Sequence, residues 1–159
     1  MSIKLSDMTI DLCHEFFHEF TNDISVFSAN QPFFQYHYSK DSVNAYWKRN
    51  QVKNRIHLAI LRDNNVIGEI ILKQIDWIQK YCTLSIHMKN DSVKNQGYGT
   101  EAEKQALIYA KECLDMKRVY ANTLIHNTRS QHVLEKVGFQ KIVQNNQYVY
   151  YKFELSQLE

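Results

Sequence analysis

Two closely spaced glycines mark the part of the sequence that is best suited to bind a phosphate group. They stand in the segment Lys94, Asn95, Gln96, Gly97, Tyr98, Gly99 and Thr100, which joins a predicted strand to a predicted helix. Backbone N–H groups at such a junction converge on one point, and the positive end of the helix dipole attracts an anion. Glycine also lets the backbone approach a ligand closely. The segment therefore predicts a diphosphate site that needs few cationic side chains, with Lys94 at its rim.

The same glycines fit other interpretations. A strand-to-helix turn can use glycine for tightness alone. Gly97, Gly99 and Ala102 also match the dinucleotide-binding pattern G-x-G-x-x-A. That pattern requires a preceding βαβ unit and an acidic residue about 20 positions later, whereas here predicted hairpins come first and the next strand ends at Ile125 and His126. This context argues against a nicotinamide-dependent oxidoreductase, and the missing Gly-Lys-Ser/Thr sequence excludes a P-loop.

Two polar residues on predicted strands are candidates for acid–base chemistry. Glu69 lies on the second strand of a predicted hairpin, and His87 lies on the strand after it. Either could remove a proton from a substrate, directly or through water, and histidine ordinarily titrates near neutral pH. The alternative for each is a polar side chain on the solvent face of a strand, which is the more common situation. His14 and His18 have a spacing that suits metal ligands, but without a third ligand we expect a solvated helix face and no metal.

The composition indicates one globular domain. The chain has 159 residues, of which 44% are apolar and 23% charged, with a formal net charge of +2. We therefore expect a single domain over residues 1–159 that binds no nucleic acid. No stretch approaches the roughly 18 apolar residues of a membrane span, and the N-terminus does not resemble a signal peptide. Three distant cysteines without a C-x-x-C pair suit a reducing compartment, so a cytoplasmic location is expected.

Hydrophobic periodicity predicts the elements that position the candidate residues. Strands are expected at residues 3–5, 55–62, 66–74, 81–89, 118–125, 139–143 and 148–155. Helices are expected from Asp11, from Ser39 or Asp41 to about Lys53, from about Thr100 to Leu114, and from Asn127 to Val137. Asn127 is expected to cap the last helix and Gly138 to end it in the left-handed conformation. The order β-α-α-β-β-β-α-β-α-β-β predicts an α/β fold with a mixed, mostly antiparallel sheet and helices on both faces.

Two motifs together resemble the GCN5-related N-acetyltransferase (GNAT) family. Lys94-x-x-Gly97-x-Gly99 resembles the family's Q/R-x-x-G-x-G/A pyrophosphate loop. The stretch 127–139 resembles its N-x-x-S-x-x-x-x-E-K-x-G-F motif. One helix and one strand separate the two motifs, and the element order agrees over almost the whole chain. The Asn-x-x-Ser form is most similar to the branch that contains ribosomal-protein N-terminal acetyltransferases and related small-molecule enzymes.

The resemblance implies an enzyme that moves an acetyl group from acetyl-coenzyme A to a primary amine by direct attack in a ternary complex. The pyrophosphate would be held by the backbone amides of Gln96, Gly97, Tyr98, Gly99 and Thr100, together with Asn95 and Lys94. Family members separate the strand before this loop from the next strand, and the pantetheine arm pairs with the exposed edge. Here that edge comprises Ile86, His87 and Met88, with the acetyl carbonyl close to a backbone amide. Asn127 would bind the pantetheine, and Ser130 would lie near the departing sulfur.

The chain departs from the family pattern at two positions. Lys94 replaces the usual Gln or Arg, which keeps a donor but loses the planar fork. Leu134 stands where many relatives have a tyrosine that acts as general acid for the thiolate. Ser130 therefore becomes the candidate for that role, although serine is also favoured in a first helical turn. Because of Leu134, the alternative function is a non-catalytic sensor that binds acetyl-coenzyme A.

The sequence leaves the acceptor amine open. A ribosomal-protein terminus, an amino acid, an aminoglycoside-like amine and a polyamine all fit, because loops around a pocket are the most variable part of a fold. In relatives the acceptor pocket is covered by the region that here contains Phe33, Phe34, Tyr36, Tyr38, Tyr46 and Trp47. Part of this aromatic set is expected to be ordinary core. We expect a monomer or a homodimer that forms through the last strands.

Overall fold

A computed structural model describes residues 2–21 and 35–158. Within these residues, seven strands form one sheet in the order β1-β2-β3-β4-β5-β7-β6. The strands are β1 (Ile3–Asp7), β2 (Ile56–Arg62), β3 (Asn65–Asp76), β4 (Tyr81–Met88), β5 (Arg118–Leu124), β6 (Gln140–Gln144) and β7 (Tyr148–Glu154). The helices of the same ranges are α1 (Ile10–His18), α2 (Lys40–Arg49), α3 (Tyr98–Glu112) and α4 (Thr128–Val137). Short 3-10 turns at Asp91–Val93 and Leu155–Gln157 add to this order.

The order of strands and helices confirms the predicted fold class, while single boundaries differ by a few residues. β1 extends to Asp7 because it pairs along its whole length with β2. α2 ends at Arg49, before the predicted Lys53, since the side-chain amide of Asn50 donates to the carbonyl of Tyr46 at 2.9 Å. That bond satisfies one of the free carbonyl groups at the helix end. Boundaries thus depend on pairing and capping contacts that periodicity does not reveal.

Glycines mark the start of α3 and the end of α4. Gly97 precedes α3 in the left-handed conformation, with φ 83°, so the helix begins at Tyr98 rather than at the predicted Thr100. A residue with a Cβ is strained at that φ, which explains why glycine stands there. The predicted ends of α4 are observed, with Asn127 as N-cap and Gly138 as a left-handed C-cap with φ 119°.

Alternate residues of β2 establish that helices cover both faces of the sheet. Leu58 and Ile60 pack in a core that includes buried residues of α3 and α4. Ala59 and Leu61, which point the other way, pack with Phe16 and other residues of α1 and α2. Full burial of a side chain as large as Ile60 contributes about 1.5–3 kcal/mol. The two cores therefore hold the sheet rigidly between two helical layers.

The sheet opens between β4 and β5. These neighbouring strands are parallel, and their pairing runs only from Tyr81 opposite Arg118 to Thr83 opposite Tyr120. Beyond Thr83, the rest of β4 pairs with β3 alone among the described strands. The backbone edge of β4 that follows Thr83 is consequently free of β5, which is the separation that the family resemblance implies.

Two further observations concern the environment of the chain. In the part of the chain that the structure describes, none of the helices combines the length and the apolar character that crossing a lipid bilayer requires. Cys13 and Cys82 are buried, Cys113 is exposed, and all three are free. Burial raises the pKa of the Cys82 thiol to about 12. Cys82 therefore serves as a core side chain rather than a reactive thiolate.

Candidate functional site

The turn before α3 presents backbone donors to an open cavity. Gly97 caps α3 without a side-chain hydrogen bond, and the helix runs for 15 residues behind it. The first N–H groups of a helix have no intrahelical partner, and the helix dipole makes that end positive. Asn95, with φ 61°, and Gly97 are both left-handed, which turns the chain sharply ahead of these donors. The geometry suits an anion such as a diphosphate.

Basic side chains surround the same cavity. It has a volume of about 640 Å³, and among its lining are Lys94, Arg129, His132 and Lys136. Its described lining contains no carboxylate. Asp91, beside the cavity, lies 3.2 Å from Lys94 Nζ and 3.8 Å from Arg129 Nη1, and so orients both cations. The side chains therefore add positive charge to that of the helix N-terminus.

The cavity at the loop continues into the cleft between β4 and β5. A smaller cavity of about 250 Å³ shares Met88, Lys94 and Gly99 with it. A third cavity, of about 560 Å³, occupies the opening between the strands. The smaller cavity and the cleft share five residues, which we term the junction: Ile86, His87, Glu103, Asn127 and Ser130. One continuous trough thus runs from the glycine turn to the open edge of β4.

Ten of the thirteen predicted site residues line this trough, and the side chains of Glu69, Gln96 and Tyr98 do not. The predicted residues that line the trough are Ile86, His87, Met88, Lys94, Asn95, Gly97, Gly99, Thr100, Asn127 and Ser130. The side chain of Gln96 instead donates to the carbonyl of Ser92 at 2.7 Å. Tyr98 is buried, with the Arg62 guanidinium 5.1 Å from its ring centre. Gln96 and Tyr98 can therefore serve a ligand in the trough only through their backbone amides.

Glu69 lies behind His87 and is enclosed by hydrogen-bond donors. It is 2% exposed, and His57 Nε2 donates to its Oε1 at 2.7 Å. The Tyr46 hydroxyl and His87 Nδ1 donate to its Oε2 at 2.7 and 3.0 Å. Burial by itself raises the pKa of a carboxyl, but the hydrogen bonds from His57 and His87 prevail and lower the pKa of Glu69 to about 2. Glu69 is therefore an ionised anchor for the surrounding rings.

His87 joins this anchor to the trough. Its side chain is 44% exposed and lies in the junction. Because Nδ1 is engaged by Glu69, Nε2 is the ring nitrogen left to meet a ligand. This orientation gives His87 a defined direction, unlike a polar residue on a plain solvent face.

The N-terminus of α4 forms the opposite wall of the junction. Asn127 Oδ1 accepts a hydrogen bond from the Ser130 amide at 3.2 Å, which caps the helix. Asn127 is thus engaged through its oxygen, and its side-chain NH2 is the group available to a ligand. Leu134 is buried and lines the cleft one turn further along α4. The wall beyond Ser130 is consequently apolar.

Glu103 belongs to the junction and was missed by the sequence analysis. It is 1% exposed, and its Oε1 has no hydrogen-bond partner among the described residues. Burial raises the pKa of its carboxyl to about 8. Its spacing of four residues from Gly99 puts it on the same helix face, a signal that was available in the sequence. His57 was missed as well, because only the pairing of β2 with β3 brings it beside Glu69.

The aromatic residues near α1 and α2 pack largely with one another. Tyr38 stacks on His18 with 3.8 Å between ring centres, and its hydroxyl lies 2.5 Å from His14 Nδ1. Trp47 donates to the carbonyl of Met8 at 3.4 Å. Phe33 and Phe34 fall outside the described residues, so their predicted place at the acceptor pocket has no structural counterpart here. In the described ranges, no three His, Cys, Asp or Glu side chains are grouped to hold a metal ion.

The chain matches the sequence model of one protein family and is similar in fold to several solved acetyltransferase structures. The family model of the acetyltransferase (GNAT) domain matches residues 3–140. A chimera of Vibrio cholerae spermidine N-acetyltransferase and hSSAT superposes with a TM-score of 0.77 at 13% identity, covering 99% of this chain and 98% of that one. Spermidine N-acetyltransferase from Vibrio cholerae, in complex with CoA and spermine, has a TM-score of 0.74 at 16% identity, with coverages of 97% and 96%. A probable acetyltransferase reaches 0.76 at 18% identity, with coverages of 98% and 94%.

These comparisons define how far the similarity extends. No curated protein matches the chain in a sequence search. The structural neighbours named above do not support the narrower resemblance to ribosomal-protein N-terminal acetyltransferases. At identities of 13–18% they establish a common fold, while the family model covers most of the sequence. The chain therefore belongs to the acetyltransferase (GNAT) domain family.

Proposed function

We propose that this chain transfers an acetyl group from acetyl-coenzyme A to a primary amine within a ternary complex. The observation that carries the proposal is the continuous trough from the turn at Gly97 to His87. One end of the trough suits a diphosphate, and the other end holds an imidazole that is oriented by a buried carboxylate. Family membership supports the same reaction.

The coenzyme would lie along the trough with its pyrophosphate at the amides of residues 96–100. Lys94 and Arg129 add positive charge at that end. The pantetheine arm would follow Ile86, His87 and Met88, because the β4 edge there is free of β5. Asn127 would meet the arm from α4. With the pyrophosphate and the pantetheine arm in these positions, the thioester would lie at the junction.

Acetyl transfer requires an amine without its extra proton, a stabilised oxyanion and a leaving thiolate. His87 Nε2 would take the proton of the amine, since Glu69 holds the other ring nitrogen. Glu69 itself is less suited as a base, because a carboxylate with a pKa of about 2 has little affinity for a proton. A backbone N–H on the free edge of β4 would stabilise the oxyanion. Ser130 would contact the departing sulfur from α4.

The proposed function is tested by assaying the protein with acetyl-coenzyme A and a panel of acceptor amines, and this panel should begin with polyamines. The Vibrio cholerae structure is that of a spermidine N-acetyltransferase in complex with CoA and spermine, and at 16% identity it shares the fold with this chain. Protein N-termini, amino acids and aminoglycoside-like amines complete the panel. Binding of acetyl-coenzyme A followed by amine-dependent release of free thiol is the expected result. Tight coenzyme binding without thiol release on any amine would instead support the alternative of a non-catalytic sensor. That alternative is based on Leu134, which cannot donate a proton to the thiolate.

A further inference from the structure

We propose that Glu103 is the acid that protonates the departing coenzyme A thiolate. This inference rests on the proposed acetyl transfer and assigns a residue to the step that expels the thiol. The carboxyl lies on α3, in the wall of the junction, together with Asn127 and Ser130 of the α4 wall. His87, the base of the proposed reaction, lies in the same junction on β4.

The placement of Glu103 sets it apart from every other acidic residue of the described chain. It is the only carboxyl in the described lining of both the smaller cavity and the cleft. The side chain is 1% exposed, so it is held by packing rather than free in solvent. It therefore has a fixed position beside the space in which the thioester would lie.

One oxygen of Glu103 is unused by the protein. Its Oε1 is buried and has no hydrogen-bond partner among the described residues. Buried polar atoms are almost always paired, and an unpaired one in a native structure calls for an explanation, such as a bound water, an ion or a catalytic role. A ligand group in the trough is the partner that the lining of the cavities permits. The sulfur of the coenzyme is such a group.

Glu103 also carries a proton under the conditions in which an enzyme works. Burial raises the pKa of this carboxyl to about 8, so the neutral form predominates at pH 7. The titratable and charged groups that line the same two cavities are His87 on β4, Lys94 in the loop, Arg129 on α4 and Tyr148 on β7. Lys94 and Arg129 are both directed to Asp91. A neutral carboxyl is also a stronger acid than the hydroxyl of Ser130.

The proposed step balances without a further reactant. The amine nitrogen attacks the thioester carbon, and its proton passes to His87 Nε2. The carbon–sulfur bond then breaks, the electron pair stays on sulfur, and the O–H of Glu103 transfers its proton to that sulfur. The products are the amide and the free thiol. Water reprotonates the Glu103 carboxylate and takes the proton from His87, which restores both groups.

The decisive variant is Glu103→Gln, which keeps the size of the side chain and removes the transferable proton. We expect turnover to fall at least about tenfold at pH 7, with the KM for acetyl-coenzyme A within about twofold of wild type. The wild-type kcat should decline above pH 8, and this decline should be absent from the variant. Glu112→Gln, on the exposed end of the same helix, is the matched control and should behave as wild type. Wild-type turnover and an unchanged pH profile in Glu103→Gln would overturn the proposal.

A second variant separates proton donation from packing. Glu103→Ala leaves room in the wall, and added imidazole should restore part of its turnover at pH 7, because a large share of imidazole is protonated at that pH and can supply the proton. Absence of rescue in a folded Glu103→Ala protein counts against the proposal. If wild type turns over amines while Glu103→Gln matches it, only the role of Glu103 fails. If wild type releases no thiol with any amine, the proposed function is wrong, and the assignment of Glu103 as the acid is then wrong as well.

Discussion

Glu69 and His87 stand directly opposite each other on β3 and β4, and His87 Nδ1 donates to Glu69 Oε2 at 3.0 Å. Residues paired across an antiparallel ladder point to the same face, so the sheet itself aims the imidazole. His57 and Tyr46 also donate hydrogen bonds to this carboxylate. Glu69 thereby orients His87 and stabilises the positive charge that a base acquires. It acts on the substrate through His87 rather than by contact.

Replacing Glu69 by glutamine should lower kcat more than it raises KM. The amide keeps the shape of the side chain but removes the negative charge that stabilises a protonated His87. We expect kcat to fall by about tenfold or more, with coenzyme affinity unchanged. Steady-state kinetics with the best amine of the panel measures both constants. Asp63→Asn, in the exposed β2–β3 turn, is the control for loss of a carboxylate on the same hairpin. Equal kcat in Glu69→Gln and wild type would remove Glu69 from the mechanism.

Replacing Gly97 by glutamate should abolish coenzyme binding. The new side chain would put negative charge where the diphosphate is expected and would strain a backbone with φ 83°. We expect the affinity for coenzyme A to drop by at least about 100-fold, a loss that calorimetry measures. Gly97→Asn controls for strain alone, because asparagine tolerates the left-handed conformation. Unchanged affinity in Gly97→Glu would contradict the assignment of the loop.

Removing the Ser130 hydroxyl should affect turnover and spare binding. Ser130→Ala keeps the amide that Asn127 caps, so α4 should retain its N-terminus. If the hydroxyl contacts the sulfur, kcat should fall by about tenfold while coenzyme affinity stays the same. Ser156→Ala, at an exposed position after β7, is the control for a serine outside the trough. A variant as active as wild type would end the role of Ser130.

The buried carboxyl of Glu103 should make stability fall as pH rises. Its pKa of about 8 in the folded state lies above the ordinary value of 4.5, so the folded state binds the proton more tightly than the unfolded state does. The contribution of this proton to the free energy of unfolding is complete below pH 4.5 and is lost progressively as the pH rises to 8. Over pH 5 to 8 the loss amounts to about 3 kcal/mol. Chemical denaturation at both pH values should give a smaller decrease for Glu103→Gln than for wild type. The same decrease in both proteins would mean that Glu103 is ionised in the folded state.

Local features of the sequence were sufficient to predict the order of the elements and to identify the two motifs that resemble those of the GNAT family. Gly97 and Gly138 were identifiable because their left-handed backbone conformations strain most residues that have a Cβ and therefore favour glycine. Asn127 was identifiable as a cap because it acts on an amide three residues away. Boundaries such as the end of α2 were less accurate, since the bond from Asn50 to Tyr46 depends on how the following loop turns back.

The sequence by itself determined which residues could form the turn, the strands and the caps, because these depend on neighbours within a few positions. Only the tertiary structure decided how Glu69 and Glu103 differ. Both are buried glutamates, yet His57, His87 and Tyr46 converge on the first, while Oε1 of the second meets no donor in the described chain. The pKa of one carboxyl is lowered and that of the other is raised. The physical reason is that desolvation and hydrogen bonding act through space, and sequence separation does not measure that distance.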